Sequence, residues 1–428
     1  MTPQQEQRLL TIAAIETSGL PPWNHHVSIA AEVHRTIDLD LLERSWQHVV
    51  STHPALETGF DLGSMTQSIQ RDRRELPSVI VIERDNATPL DVLLSRLIEM
   101  PFELATPPLG RLAYLPIDGG NTVILLVLDH LIADGTSASI VLAQMFTCYE
   151  SLVKSWNVPA LPSGDYGSWV RAVRMAGDSL ARQGTAVHTP GSLSTREVCL
   201  PAMHPAPARP TNRSVDAFVS IPGRVRSQVE QTCRANRVTP FMLFVGAFAV
   251  MARCPANSVV ELRSSVAGRE SPEMEALVGW ISNLVPLRIT VDTGRSFVEL
   301  LQVVREAALD AWEGRNVPFY SLLRLDRPTE YANPFARMWC LFDYIPDLED
   351  ETSTTLPTWV HPFPASGTSW GRCAGFWVIE SGEGFEIEAT VDGDRIDGAH
   401  LQEFLERLAE CVEALSAASE QPIVRVLG

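Results

Sequence analysis

Lysine is almost absent from this chain: of 34 basic residues only Lys154 is not an arginine. That bias reads as genomic base composition and carries no functional information. No block of basic residues is present either, and with 52 acidic side chains the formal charge is −18. Such a surface repels nucleic acid and anionic lipid at long range, which leaves a small, locally docked partner as the better expectation. Cysteine is sparse and scattered, at 148, 199, 233, 254, 340, 373 and 411, never in a Cys-x-x-Cys pair. This argues against a disulfide framework and a zinc site, and for buried reduced thiols with no metal.

Long apolar runs are missing as well. The longest, Phe241 to Ala252, is about a dozen residues against the roughly 20 that span a bilayer, and it opens with Thr239-Pro240, an N-cap followed by proline at the first helical position. It predicts a buried core helix. The first residues, Met1-Thr-Pro-Gln-Gln-Glu-Gln-Arg8, show no basic segment leading into an apolar run, so cytoplasmic residence is the expectation. Glycine-rich nucleotide loops, Gly-x-Ser-x-Gly elbows, His-Glu-x-x-His and internal repeats are all absent, which removes most familiar enzyme classes and the solenoids.

What is present is a core. With 428 residues and 45% apolar content, the chain can bury one large core or two of about 200 residues each. Helical spacing is clearest at Ser296 to Gly314, with a capping box of Ser296 and Glu299 and a terminal glycine. Further helices are predicted at Leu401 to Leu415 and at about Leu39 to Val50, the latter closed by Pro54. Strands are predicted at Thr122 to Leu128, Ser258 to Val266, Trp339 to Tyr344, and as a pair around Gly375 to Val391. A stretch from Pro190 to Asn212, crowded with Pro, Ser, Thr and Arg, has no apolar period. The chain therefore divides into 1–189, a linker 190–212, and 213–428.

One segment carries chemistry. Thr122 to Leu128 is apolar throughout, as in a strand covered on both faces, and stops at Asp129-His130. After Gly135, helical spacing resumes through Val141, Leu142, Met145, Phe146, Tyr149 and Leu152. His130 thus emerges at a strand end, where an imidazole can act as a general base or serve as a hydrogen-bonded structural residue. Asp134 fits a helix cap better than direct catalysis. An inward-pointing Asp129 would raise the His130 pKa. His25-His26 reads as a loop pair, Arg71 to Arg74 as a solvated turn or a docking patch for an acidic carrier, and Trp280, Trp339, Phe342 and Trp377 as core or tunnel lining.

With Leu128-Asp-His-Leu-Ile-Ala-Asp-Gly135 in hand, the chain resembles the condensation domains of nonribosomal peptide synthetases and the wider His-His-x-x-x-Asp-Gly acyltransferase superfamily. Pro54 to Phe60, Pro101 to Arg111, Gly164 to Trp169, Thr239 to Met242, Val266 to Arg269, Gly279 to Arg288 and Val317 to Phe319 follow in the family's order. The resemblance implies an α/β chain built as α+β two-layer sandwiches: two chloramphenicol-acetyltransferase-like halves forming a V with a central tunnel. It implies that His130 is the catalytic histidine, Asp134 the structural aspartate, Gly135 the glycine beside the tunnel, and Asn283 an asparagine near the channel. The resemblance also implies an arginine that holds Asp134, with Arg269 as first candidate and Arg288 as second. Two positions depart from the pattern: Asp129 stands for the first histidine and Glu57 for an arginine.

The implied activity is that of a stand-alone condensation enzyme, joining a carrier-protein-bound acyl thioester to a small amine or alcohol acceptor to give an amide or ester. No cofactor is held permanently; substrates arrive on phosphopantetheine or on coenzyme A. The carrier proteins dock in trans, a monomer suffices, and neither nucleic acid nor membrane is involved. Two alternatives keep the fold: an acyl-CoA-dependent acyltransferase, and a catalytically silent module that recruits another enzyme to an assembly line.

Overall fold

Strand β6 (Thr122–Asp129) is buried at all eight positions. Its alternate side chains serve two cores: Ile124, Leu126 and Leu128 pack on one face of the sheet, and Val123, Leu125 and Val127 on the other. This is why the strand reads as an unbroken apolar run rather than an alternating one. The computed structural model describes the chain apart from residues 21–23, 72–75, 84–87, 118–120, 155–156, 184–199, 206, 208–210, 212, 254–258, 334–337, 347–355, 359, 365–372 and 427–428.

Around β6 stands a five-stranded sheet ordered β11-β1-β6-β5-β4, with β1 at His26–Val33, β4 at Val79–Val81, β5 at Gly110–Pro116 and β11 at Val360–Pro364. Helices Leu39–Thr52 and Gly135–Val153 cover one face around the fully buried Trp46, and Leu90–Glu99 covers the other. Every pairing is antiparallel except β4 with β5. A separate hairpin joins β2 (Thr58–Asp61) to β3 (Thr66–Ile69).

A second sheet runs β7-β13-β12-β10-β8-β9, made of β7 (Ser214–Pro222), β8 (Val259–Val266), β9 (Asn283–Thr290), β10 (Trp339–Ile345), β12 (Cys373–Ser381) and β13 (Gly384–Asp392). Helices Gly223–Asn236, Pro240–Met251, Phe297–Glu313 and Gly398–Ala417 pack on one of its faces. Their core centres on Phe248, whose ring lies 4.8–5.9 Å from those of Phe342, Phe376 and Phe404. The other face looks into the space between the sheets. Strand alternation sets this: Phe342, Phe376 and Ala389 are buried towards the helices, and Asp343, Trp377 and Glu388 point the opposite way.

The halves interlock. Strand β11 comes from the second half of the chain yet pairs with β1 of the first. The N-terminal helix Pro3–Thr17 and the helix Tyr166–Gln183 both pack against Phe319–Asp326. Most of the expected 190–212 linker lies outside the described residues. No helix among the described residues is long and apolar enough to cross a membrane.

The elements predicted from spacing lie within a few residues of those observed. The Ser296 helix runs Phe297–Glu313 with the capping box formed and Gly314 as C-cap, and the apolar run is the helix Pro240–Met251, capped by Thr239. The four described cysteine side chains, Cys148, Cys233, Cys340 and Cys411, are buried.

Candidate active site

The register of β6 fixes the site. His26 pairs with Asp129 across β1 and β6, and the ladder continues one step beyond the strand, where the His130 amide donates to the His25 carbonyl at 2.9 Å. Of His25 and His26, expected as a loop pair, His25 precedes the strand and His26 opens β1, and the two are only 5% and 2% exposed. Single-sequence reading misses them because two polar residues before a strand look like a turn.

Asp129 is buried beside the site but is already occupied. Its carboxylate accepts from an Arg8 guanidinium nitrogen at 3.0 Å and from the Leu131 amide at 2.8 Å, and His26 Nε2 stands 3.7 Å away. The His26 ring also contacts the Ile98 carbonyl through Nδ1 at 2.6 Å. Arg8 comes from the N-terminal helix, which its neighbours fix in place. Gln5 Nε2 donates to the Leu131 carbonyl and to the Tyr166 hydroxyl, both at 2.7 Å, and Gln4 Nε2 donates to the Trp280 carbonyl at 3.2 Å. Thr2 and Gln5 form a capping box, a signal visible in the sequence, although its place beside the motif is not.

The half-buried His130 imidazole is held between two rings. His25 lies 4.2 Å from it on one side and Trp280 4.4 Å on the other, centroid to centroid. Burial lowers the His130 pKa to about 4, outweighing a hydrogen bond to its own main chain and the two nearby aspartates, all of which favour the cation. Asp129 does pull the pKa upward, as expected, but desolvation outweighs it and the net shift is downward. His25 is lowered as well, by burial first and then by His130 and Arg8. Both rings are neutral at pH 7.

Asp134 caps the helix Gly135–Val153 and ties the halves together. It accepts from the Ser137 amide and hydroxyl at 2.8 Å each, and from the Ile281 and Ser282 amides at 3.0 and 2.9 Å. Arg269 adds a bidentate pair at 2.9 and 3.1 Å, and reaches the Ser137 hydroxyl and the Leu277 carbonyl as well. Burial alone would raise this carboxyl; Arg269 and Ser137 outweigh it and hold it below its usual range. Arg288, the second candidate, is not here. It faces Glu261 across β8 and β9 at 3.9 Å.

Asn283 is committed to the main chain. Its Nδ2 donates to the Arg315 and Val317 carbonyls at 2.9 and 2.6 Å, and its Oδ1 accepts from the Phe319 amide at 3.0 Å, so it braces the segment that follows the helix Phe297–Glu313. Glu57 is buried with Arg71 Nε at 3.6 Å; residues 72–74 of that basic cluster lie outside the described residues. Trp339 and Phe342 belong to core clusters, as expected, and Trp377 lines the cavity.

That cavity measures about 1110 Å³ and lies between the two sheets. His130, Asp134, Gly135, Thr136 and Ser282 line one region, and Ser264, Ser265, Asp343, Tyr344, Trp377 and Glu388 another. A Cβ added at Gly135 would meet nothing within 4 Å, so the glycine leaves open space beside His130.

The family model for the condensation domain matches residues 2–427. The chain belongs to the condensation-domain family. Among curated relatives, one of the linear gramicidin synthase chains of Brevibacillus parabrevis is 26% identical over 421 residues, 94% of this chain but 5% of that protein. The dimodular nonribosomal peptide synthase of Bacillus subtilis (strain 168) is 26% identical over 347 residues, 77% of this chain and 14% of that protein. The condensation domain thus spans only 5–14% of the length of these two relatives. Among solved structures, the X-domain from teicoplanin biosynthesis superposes with a TM-score of 0.80 at 16% identity, covering 99% of this chain and 96% of that one. The same X-domain in complex with OxyB gives 0.78, with 100% and 95% covered. The condensation domain of the monacolin K polyketide synthase MokA gives 0.76 at 16% identity, with 98% and 97% covered. The condensation domain has here the two-lobed, chloramphenicol-acetyltransferase-like fold, with its cavity between the lobes.

Proposed function

We propose that this condensation domain joins an acyl thioester to an amine, or to an alcohol, in the cavity between its halves (residues 1–189 and 213–428), with His130 as general base. The observation that carries this reading is a neutral imidazole clamped between two rings on the wall of a large cavity, beside the open space left by Gly135. The acceptor nitrogen attacks the thioester carbonyl and loses a proton to His130. The C–N bond forms, the C–S bond breaks, and the imidazolium returns the proton to the leaving thiolate. A base with a pKa near 4 is fully available at pH 7 but weak, so much of its effect comes from orientation. Asp134, Arg269 and Asn283 are positioning residues, and Asp129 with Arg8 sets the strand end.

The donor is a carrier protein presenting its acyl group on phosphopantetheine; coenzyme A carries the same thioester arm and is the competing donor. In the test, intact-mass spectrometry follows acyl transfer from loaded carriers and acyl-CoAs to pooled amines and alcohols. The folded His130→Ala variant is expected to be slower by about a hundredfold. Equal rates would remove His130 from the chemistry. A second reading, a module that recruits another enzyme, is favoured by the weakness of this base and is supported if carriers bind and no donor reacts.

A further inference from the structure

The wall of the cavity on the second sheet is built by strand register. Across the second sheet, Asp343 of β10 pairs with Trp377 of β12, and Trp377 pairs with Glu388 of β13. Paired residues on neighbouring strands share a face, so the three side chains stand in a row, a carboxyl on either side of an indole, and all three line the cavity. The indole has a prepared seat. A Cβ at Gly375 would come within 2.3 Å of the Trp377 ring, so the glycine makes room for the ring to lie along the strand.

Asp343 is oriented rather than neutralised. It accepts from the Ser265 amide and hydroxyl, both at 2.7 Å, and from the Ser264 hydroxyl at 3.0 Å. Burial pushes its pKa up, and burial followed by Glu386 does the same for Glu388. The other two buried aspartates near the cavity, Asp129 and Asp134, each have an arginine. No arginine or lysine is found among the described residues that line this cavity, whereas Asp216 adds a further carboxyl beside Glu388.

We infer that the substrate held against this wall carries a cationic group, an ammonium or guanidinium, which sits over the Trp377 indole between the Asp343 and Glu388 carboxylates. The assignment rests on the cavity being the substrate site proposed above. Such a cation supplies the charge that the wall's own residues lack, and a desolvated indole face adds cation–π attraction.

Calorimetric titration of the intact protein tests this with 1,5-diaminopentane and its neutral counterpart 1,5-pentanediol. The diamine is expected to bind at least about tenfold tighter than the diol, and to weaken as salt rises from about 0.05 to 0.5 M. Asp343→Asn and Glu388→Gln are each expected to remove most of that preference, Trp377→Leu part of it, and His130→Ala none. Equal affinity for diamine and diol, no saturable diamine binding, or a preference that survives both carboxyl substitutions and high salt would overturn the inference. Binding is read without turnover, so the inference stands if His130→Ala transfers acyl groups normally, and it falls without touching the catalytic reading if the preference is absent.

Discussion

Asp129 and Asp134 bracket the proposed base, and each is buried against an arginine from a distant part of the chain. A buried ion pair adds little net stability, but removing one partner strands the other's charge. Arg8→Ala is therefore expected to cost about 3–5 kcal/mol in chemical denaturation. Adding Asp129→Asn to that variant should recover part of the loss, the coupling expected of residues in contact. Asn283→Ala should leave the Phe319 amide without its acceptor, and its hydrogen exchange should quicken markedly; unchanged protection would mean that the loop holds itself.

The sequence exposes His130, Asp134 and Arg269 because they sit in short segments whose order matches a known pattern. Arg8 lies 121 residues from Asp129, and His25 meets His130 only after β1 and β6 pair, so neither contact leaves a local trace. The direction of the His130 pKa is illegible for the same reason. An adjacent carboxylate is visible in the chain; the guanidinium that neutralises it and the rings that dry the imidazole are not.

Among the elements, those with caps and strong periods are readable: Phe297–Glu313, Pro240–Met251 and the buried β6. The short β4 and the edge strand β11 are not, because three to five residues carry no usable period. The cavity-facing row on the second sheet is hidden too. Trp377 and Glu388 look like ordinary alternation until register sets them side by side. Close packing at these junctions is itself testable. A Cβ at Gly279 would lie 2.6 Å from the Tyr166 ring, which pulls on Gln5 and the N-terminal helix, so Gly279→Ala should lower the melting temperature by several degrees, a cost of about 1–3 kcal/mol.

At the scale of the whole molecule, protons act on the fold through buried imidazoles. His25, His26 and His130 are all depressed in the folded state, the last two to about 4, against an unfolded value near 6.5. Between pH 6.5 and 4 the unfolded chain takes up protons that the folded chain refuses. Stability is therefore complete above pH 6.5 and falls across that window, by up to roughly 1.4 kcal/mol per pH unit for each imidazole. Asp134, depressed from 3.8, adds its own loss only at lower pH. Denaturation midpoints measured from about pH 7.5 to 4.5 should decline accordingly, and a flat profile would show that these rings charge as easily inside as outside. Activity, by contrast, should not titrate near 6.5, because the proposed base is already neutral there.

The return of β11 to pair with β1 also sets a timetable for synthesis. One edge of the first sheet stays unpaired from Val33 until the ribosome has passed Val360, a delay of some tens of seconds at roughly 5–20 residues per second. During that interval the nascent chain presents an open row of backbone donors and acceptors of the kind that pairs with strangers. Its safe arrival depends on how fast, and in what company, it is translated.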